Sequence, residues 1–182
     1  MKIENTPFKD LLIIHPTVFQ DDRGYFFEPF NEARFRIETG INASFVQDNE
    51  SMSNGDVLRG MHFQVPPKAQ AKLIRVSRGS VLDVVIDLRK TQPTFGQYFK
   101  TILSAENKTQ LYIPEGFAHG FKVLENQTIF TYKCSNYYSK EHDRALLWND
   151  PEIGIDWEVE DPILSDKDRN AIRFKDFETP FF

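Results

Sequence analysis

Cysteine is nearly absent from this chain. Only Cys134 occurs in 182 residues, so no intrachain disulfide is possible and a reducing compartment fits. An excess of positive charge is missing too: 22 Lys and Arg stand against 27 Asp and Glu, a formal net charge of −5. That balance excludes bulk binding to nucleic acid or to an anionic membrane surface, yet leaves room for a few arginines gathered on one phosphorylated ligand. No stretch approaches the roughly 20 apolar residues of a membrane helix. The first apolar run, in MKIENTPFKDLLIIHP, is short and cut by His15 and Pro16, which does not fit a signal peptide. Internal repeats, low-complexity linkers and a glycine-rich dinucleotide fingerprint are all lacking. The expectation is a cytoplasmic protein with one domain over residues 1–182, long enough for a sizeable core.

What the chain does have is short alternating runs with turn signals between them. In SVLDVVIDLR (80–89), Leu82, Val84, Ile86 and Leu88 share one face, and Asp83, Asp87 and Arg89 the other. In KLIRVSRG, Ile74 and Val76 face one way and Arg75 the other, with a turn at Gly79. QLYIPEGFAHGFKVL (110–124) reads as strand, turn, strand. In TIFTYKCSNYY (128–138), Phe130, Tyr132 and Cys134 oppose Thr131 and Lys133. Turn clusters such as MSNGD, SRGS and AENKT recur at short intervals, which favours an all-β sandwich or barrel over βαβ units. Helical signals are few: Asn31 can cap a helix that Gly40 stops, and Ser165 can cap a last helical turn. Seventeen phenylalanines imply a broad aromatic core or a pocket with flat walls.

Five positions could carry chemistry, and each has a bland alternative. His62 lies in the strand-like VLRGMHFQ; it is either a satisfied core histidine or a base. Strand parity groups Leu58, Gly60, His62 and Gln64 on one face and Arg59, Met61 and Phe63 on the other, so a bulge or strand boundary at Gly60 is needed to bring Arg59 beside His62. Lys72 shares parity with Ile74 and Val76; it is a strand-edge lysine with its head in water, or a cation held beside a developing negative oxygen. Pro114-x-Gly116-x-x-His119 resembles the second sequence motif of the cupin superfamily, a jelly roll. Metal-binding cupins supply H-x-H and then a glutamate in their first motif. Here that place reads His62-Phe63-Gln64 with no Glu in 65–72, too few ligands for a stable site. The expectation is a jelly roll without a metal, with two imidazoles free for proton transfer. Tyr132 is a core tyrosine or a general acid. Asp168 completes a capping box with Ser165, and the sequence alone does not place it near His62.

Taken together, FQDDRGYFFE, FVQDN, LRGMHFQ, AQAKLIRV, DLRKTQPTFGQY, LYIPEGFAHGF, YKCSNYY, LLWNDPEIGIDW and LSDKD run in order along the chain and resemble the dTDP-4-dehydrorhamnose 3,5-epimerase family. Each stretch is weak alone; the ordered set is specific. The resemblance implies an all-β, cupin-type jelly roll with a few short peripheral helices, no cofactor, and a dTDP-sugar substrate in dTDP-L-rhamnose biosynthesis. It implies that His62 is the base, Asp168 its partner, Tyr132 the acid on the opposite face, and Lys72 the group at the ketone oxygen. His119 is implied nearby. Arg23 and Arg59 are implied on the diphosphate, Gln47, Asp48 and Asn49 along the nucleotide sugar, Glu28 at the thymine, Phe19 and Tyr138 as walls, and Lys167 as a further contact. Where relatives often carry glutamate after the double tyrosine, this chain has Asp143, a shorter carboxylate at an implied ligand contact. A homodimer is expected, with room for some arginine or N-terminal contacts to cross between chains.

The chemistry accounts for these residue types. A C–H bond beside a ketone is acidic enough to ionise, and a C4 ketone activates both C3 and C5 through one enolate oxygen. One lysine can then serve both carbons. Three other readings stay open: a C3-only epimerase or ketoisomerase on a similar sugar, a non-catalytic carbohydrate-binding jelly roll, and a metal-dependent cupin.

Overall fold

The computed structural model describes residues 1–182, and its fold is a cupin-type jelly roll. One sheet has six strands, in the order β1 (Lys2–Asn5), β2 (Leu12–His15), β10 (Gln110–Ile113), β7 (Lys72–Arg78), β12 (Thr128–Cys134) and β5 (Gln47–Ser53). The other has five, in the order β13 (Asp143–Ala145), β6 (Leu58–Gln64), β11 (Phe117–Val123), β8 (Ser80–Asp87) and β9 (Tyr98–Ser104). Pairing within both sheets is antiparallel. A separate hairpin joins β3 (Phe19–Asp21) to β4 (Gly24–Phe26). The helices are α1 (Glu32–Thr39) and the single turn α2 (Asp166–Arg169). No helix is long and apolar enough to cross a membrane.

Three apolar clusters hold these layers together. Between the sheets, Ile74, Val76, Val81, Val85, Leu103, Leu111, Phe117, Phe121 and Phe130 form a plug with Phe8 and Leu11. Each such side chain contributes about 1.5–3 kcal/mol by leaving water. Outside the six-stranded sheet, Phe35 of α1 packs on Leu12, Ile14, Leu73 and Tyr112. Outside the five-stranded sheet, Leu146, Ile153, Trp157 and Phe181 cover Leu82, Val84, Ile86 and Leu88. The two faces of 80–89 separate as the alternation indicates. Every residue of β8 is nonetheless buried, because the face bearing Asp83 and Asp87 looks into the sandwich while the other is covered. Arg89 neutralises Asp87 there through two hydrogen bonds of 2.8 and 2.7 Å.

Both helix ends match their signals. The Asn31 side chain accepts from the Arg34 N–H at 3.1 Å, and Gly40 closes α1 in the left-handed region at φ 72°. Ser165 caps α2 by accepting from the Asp168 N–H at 3.2 Å.

The expected irregularity at Gly60 is present. His119 pairs with His62 but Phe121 pairs with Arg59, so Gly60 and Met61 together oppose the single residue Gly120. This bulge resets the alternation. Leu58, Met61 and Phe63 join the outer cluster, while Arg59, His62 and Gln64 turn to the other side. Leu58 thus lies opposite the face that simple parity gave it. Glycine is required at the bulge: Gly60 has φ +150°, and a Cβ there would lie 2.5 Å from the Gly120 Cα. Gly60→Ala is expected to cost about 2 kcal/mol in urea unfolding, from backbone strain plus overpacking. An unchanged unfolding midpoint would show that the bulge tolerates a side chain.

Candidate active site

Beyond the apolar plug, the interior is lined by polar side chains and opens as a cleft of about 160 Å³. Both sheets contribute to it. β6 brings His62 and Gln64; β7 brings Lys72; β12 brings Tyr132 and Cys134; β5 brings Gln47 and Asn49. Tyr138, Asp143 and Lys167 line the same cleft. The parity of β7 and β12 produces this, since Lys72 pairs with Cys134 and Ile74 with Tyr132 across the strands. The inward face of each strand changes from apolar to polar along its length.

His62 is bound through Nε2 to the Asp168 carboxylate, although 106 residues separate them. Asp168 is 2 % exposed, and its side chain is spent on His62 rather than on closing the capping box. Burial pushes the Asp168 carboxyl up, but hydrogen bonds from His62, Ser165 and the Gly60 N–H outweigh it and hold it below the usual carboxylate value. An ionised Asp168 accepting from Nε2–H fixes the neutral ring in one tautomer, with the Nδ1 lone pair available as a base.

Lys72 is buried at 8 % exposure, and its ammonium makes one long hydrogen bond, 3.5 Å to the His62 carbonyl. Burial lowers its proton affinity; Cys134, Asp83 and Asp143 oppose that effect. Its Nζ lies 5.9 Å from the Tyr132 ring centroid. Burial raises the Tyr132 phenol above its ordinary value, so it stays protonated. Behind these groups, His119 Nε2 and the Asp83 carboxyl share a hydrogen bond of 2.9 Å, and the His119 ring stacks on Phe130 at 21°. Burial moves both members of this pair toward their neutral forms, raising Asp83 and lowering His119. The second Asp83 oxygen, Oδ1, is buried without a hydrogen-bond partner.

Most of the residues singled out from sequence meet here. Arg59 stands beside the cleft, donating to the Ser53 hydroxyl at 3.1 and 3.0 Å. Asp48 does not enter. Alternation along β5 turns Gln47 and Asn49 inward, whereas the Asp48 carboxylate pairs with Lys133 on the outer face at 2.9 Å. Phe19, Arg23 and Glu28 also lie elsewhere within this chain. Phe19 and Arg23 belong to the exposed hairpin, Arg23 is paired with Asp21, and Glu28 is held by Arg34. Asp83, Gln64, Gln70 and Cys134 went unrecognised as site residues. Asp83 had a signal: a lone carboxylate within the apolar run VLDVVI needs a partner if both faces are covered. Gln64 is tied into the backbone, donating to the Lys68 carbonyl at 2.7 Å and accepting from the Ser139 N–H at 2.6 Å.

No group of three or more His, Cys, Asp or Glu is arranged to hold a metal ion. His62 and His119 face each other on paired strands, yet each ring is engaged by a carboxylate. The fold and cleft define a cupin-type protein in which a carboxylate-held histidine, a buried lysine and a tyrosine line one pocket. Residues 5–176 match the family model described as dTDP-4-dehydrorhamnose 3,5-epimerase. The Shigella flexneri dTDP-4-dehydrorhamnose 3,5-epimerase is 51 % identical over 176 residues, 97 % of each chain. The crystal structure of the Elizabethkingia anophelis enzyme of that name superposes with TM-score 0.92 at 52 % identity, covering 97 % of both chains. A Legionella pneumophila dTDP-6-deoxy-D-glucose-3,5-epimerase, solved with dTDP-4-keto-L-rhamnose, gives TM-score 0.95 at 43 % identity over 100 % of this chain and 98 % of that one. The chain belongs to the dTDP-4-dehydrorhamnose 3,5-epimerase family.

Burying Lys72 opposes folding, which yields a test. Lys72→Met should raise stability by about 1 kcal/mol at pH 7 while lowering turnover about 100-fold. The pH dependence has a definite sign. The folded-state value is lowered from 10.5. Between the two values the unfolded chain binds more protons, so this group's contribution to stability rises with pH. Lys72→Met should flatten that rise in urea titrations at several alkaline pH values.

Proposed function

We propose that the protein inverts C3 and C5 of dTDP-4-dehydro-6-deoxy-D-glucose to give dTDP-4-dehydro-L-rhamnose. One observation carries the reading: the candidate base and the candidate acid come from opposite sheets, His62 from β6 and Tyr132 from β12, and line one cleft. A sugar ring lying between the sheets presents one face to each group. His62 Nδ1 takes the proton from carbon, and the electron pair moves into the C4 carbonyl. The Lys72 ammonium meets the enolate oxygen, where its unspent hydrogen-bonding capacity is worth most. Tyr132 returns a proton to the other face, and the imidazolium and phenolate then exchange protons with water. Both carbons flank the same carbonyl, so one set of groups serves both. Asp168 stabilises the imidazolium without taking its proton. A non-catalytic sugar-binding module has no use for a buried lysine placed beside a carboxylate-held histidine.

The nucleotide occupies the mouth, with Arg59 on the diphosphate and Tyr138 against the base. The working form is a homodimer in which the hairpin β3–β4 of one chain, with Phe19 and Arg23, and Glu28 just after it complete the other chain's site. Two features support this: the hairpin exposes Phe19, Tyr25 and Phe26, and its arginine is 89 % exposed on a strand pair attached to neither sheet. The substrate class and the reducing, cysteine-poor composition suit the cytoplasm.

In D₂O, wild type should place deuterium at both C3 and C5, read by NMR. His62→Ala should abolish both exchanges, and Tyr132→Phe should slow inversion at C5 about 100-fold or more with less effect on exchange at C3. Deuterium at C3 alone in wild type would make the protein a C3-only epimerase. Mixing inactive His62→Ala and Arg23→Ala chains should restore about a quarter of wild-type activity, because each mixed dimer carries one intact site. No recovery on mixing would place Arg23 in its own chain's site, and full activity of Arg23→Ala by itself would place it outside both.

A further inference from the structure

Beside the cleft, with Lys167 lining it and Asp168 bound to His62, lies α2, a helix of four residues. A single turn has little stability of its own, so its neighbours set its orientation. The backbone ties the segment down on either side, through the Leu58 N–H to the Ile163 carbonyl at 3.0 Å and the Leu147 N–H to the Ile172 carbonyl at 2.8 Å. Between those ties, two adjacent side chains of α2 reach the sheet edge. Asp168 binds His62, and Lys167 donates to the Asp143 carboxylate at 2.5 Å. Asp143 also accepts from the Tyr138 hydroxyl at 3.3 Å. It sits on β13, where it pairs with Gln64, while Ala145 of the same strand pairs with His62. The contacts close a ring: His62 to Asp168, along α2 to Lys167, across to Asp143, and back through β13 to the strand that carries His62.

We propose that Asp143 is a positioning residue for the base, acting through Lys167 and α2 to hold Asp168 against His62. The Asp143 side chain is 18 % exposed and that of Lys167 45 %, so the pair adds little to global stability. Its effect is on alignment. Neighbouring residues of one helical turn point in different directions, so Lys167 and Asp168 together fix both the rotation and the height of α2. Without Lys167's grip, Asp168 is the one side chain of α2 left bonded to the sheet, between the two backbone ties. Displacements of about 1 Å at a catalytic group can cost about 100-fold in rate. The carboxylate is engaged within the protein, which distinguishes this role from a plain ligand contact.

The inference rests on the proton-transfer reading above, so its test has one arm that needs no turnover. With ¹⁵N-labelled histidine, the His62 ring signals, assigned by their loss in His62→Ala, should report one fixed tautomer in wild type and in Asp143→Glu. In Asp143→Ala and Lys167→Met they should shift toward a mixture of tautomers. Unchanged ring signals in Asp143→Ala would overturn the proposal whatever the turnover. In steady-state kinetics, Asp143→Ala should lower kcat about tenfold with KM changed less than about threefold, and Asp143→Glu should keep kcat within about twofold. Asp143→Ala/Lys167→Met should be no slower than either single variant, since both break one link. A rise in KM with kcat intact would make Asp143 a ligand contact only. Wild type without carbon exchange would instead defeat the proton-transfer reading and leave the ring signals to judge the link.

Discussion

The site depends on the bulge at Gly60. An uninterrupted strand would place Arg59 and His62 on opposite faces, one in the sandwich and one in the outer cluster with Trp157 and Phe181. Inserting one residue opposite Gly120 turns both toward the cleft and sends Met61 and Phe63 outward. The same bulge aims the Gly60 N–H at Asp168, which helps keep that carboxylate ionised. Two glycines meeting at backbone distance make this possible, since a Cβ on either would collide with the facing strand.

Around that irregularity the jelly roll divides its interior. One part is an apolar plug that holds the sheets together. The other is a polar cleft whose groups would destabilise a core of the ordinary kind. The division lets both sheets bring polar side chains to one cleft. It also sets protonation by location. Asp168, rich in donors, is held low, whereas Asp83, with one oxygen lacking any partner, is pushed up by burial. Two aspartates 85 positions apart in sequence thus serve two histidines that pair across β6 and β11, with opposite outcomes.

Much of this was legible in the residues. The alternation in 72–78 and 128–134 placed Lys72, Tyr132 and Cys134 on inward faces, as found. The conflict of parity between Arg59 and His62 pointed to Gly60 as the place of a break. Asn31, Gly40 and Ser165 marked their helix ends because capping is local chemistry. Asp48 escaped notice as an outward side chain because a run of three polar residues, Gln47 to Asn49, shows no apolar alternation from which to read its face. Asp83 escaped because a covered outer face cannot be inferred from the strand itself; it depends on the segment from Leu146 to Phe181 folding back over β8.

By itself, the sequence determined the class of fold, the family and the inward faces of Lys72 and Tyr132. These follow from local periodicity and from an ordered set of short motifs. Tertiary structure alone decided which groups touch. Asp168 looked like part of a helix cap until the chain brought it to His62, 106 residues away. Lys167 and Asp143 became a pair only because α2 lies against β13. Phe19, Arg23 and Glu28 fell outside the cleft of their own chain. The physical reason is common to all three. Alternation and capping depend on neighbours within a few residues, whereas contacts between distant side chains depend on how sheets, bulge and covering segments pack, which local pattern does not encode.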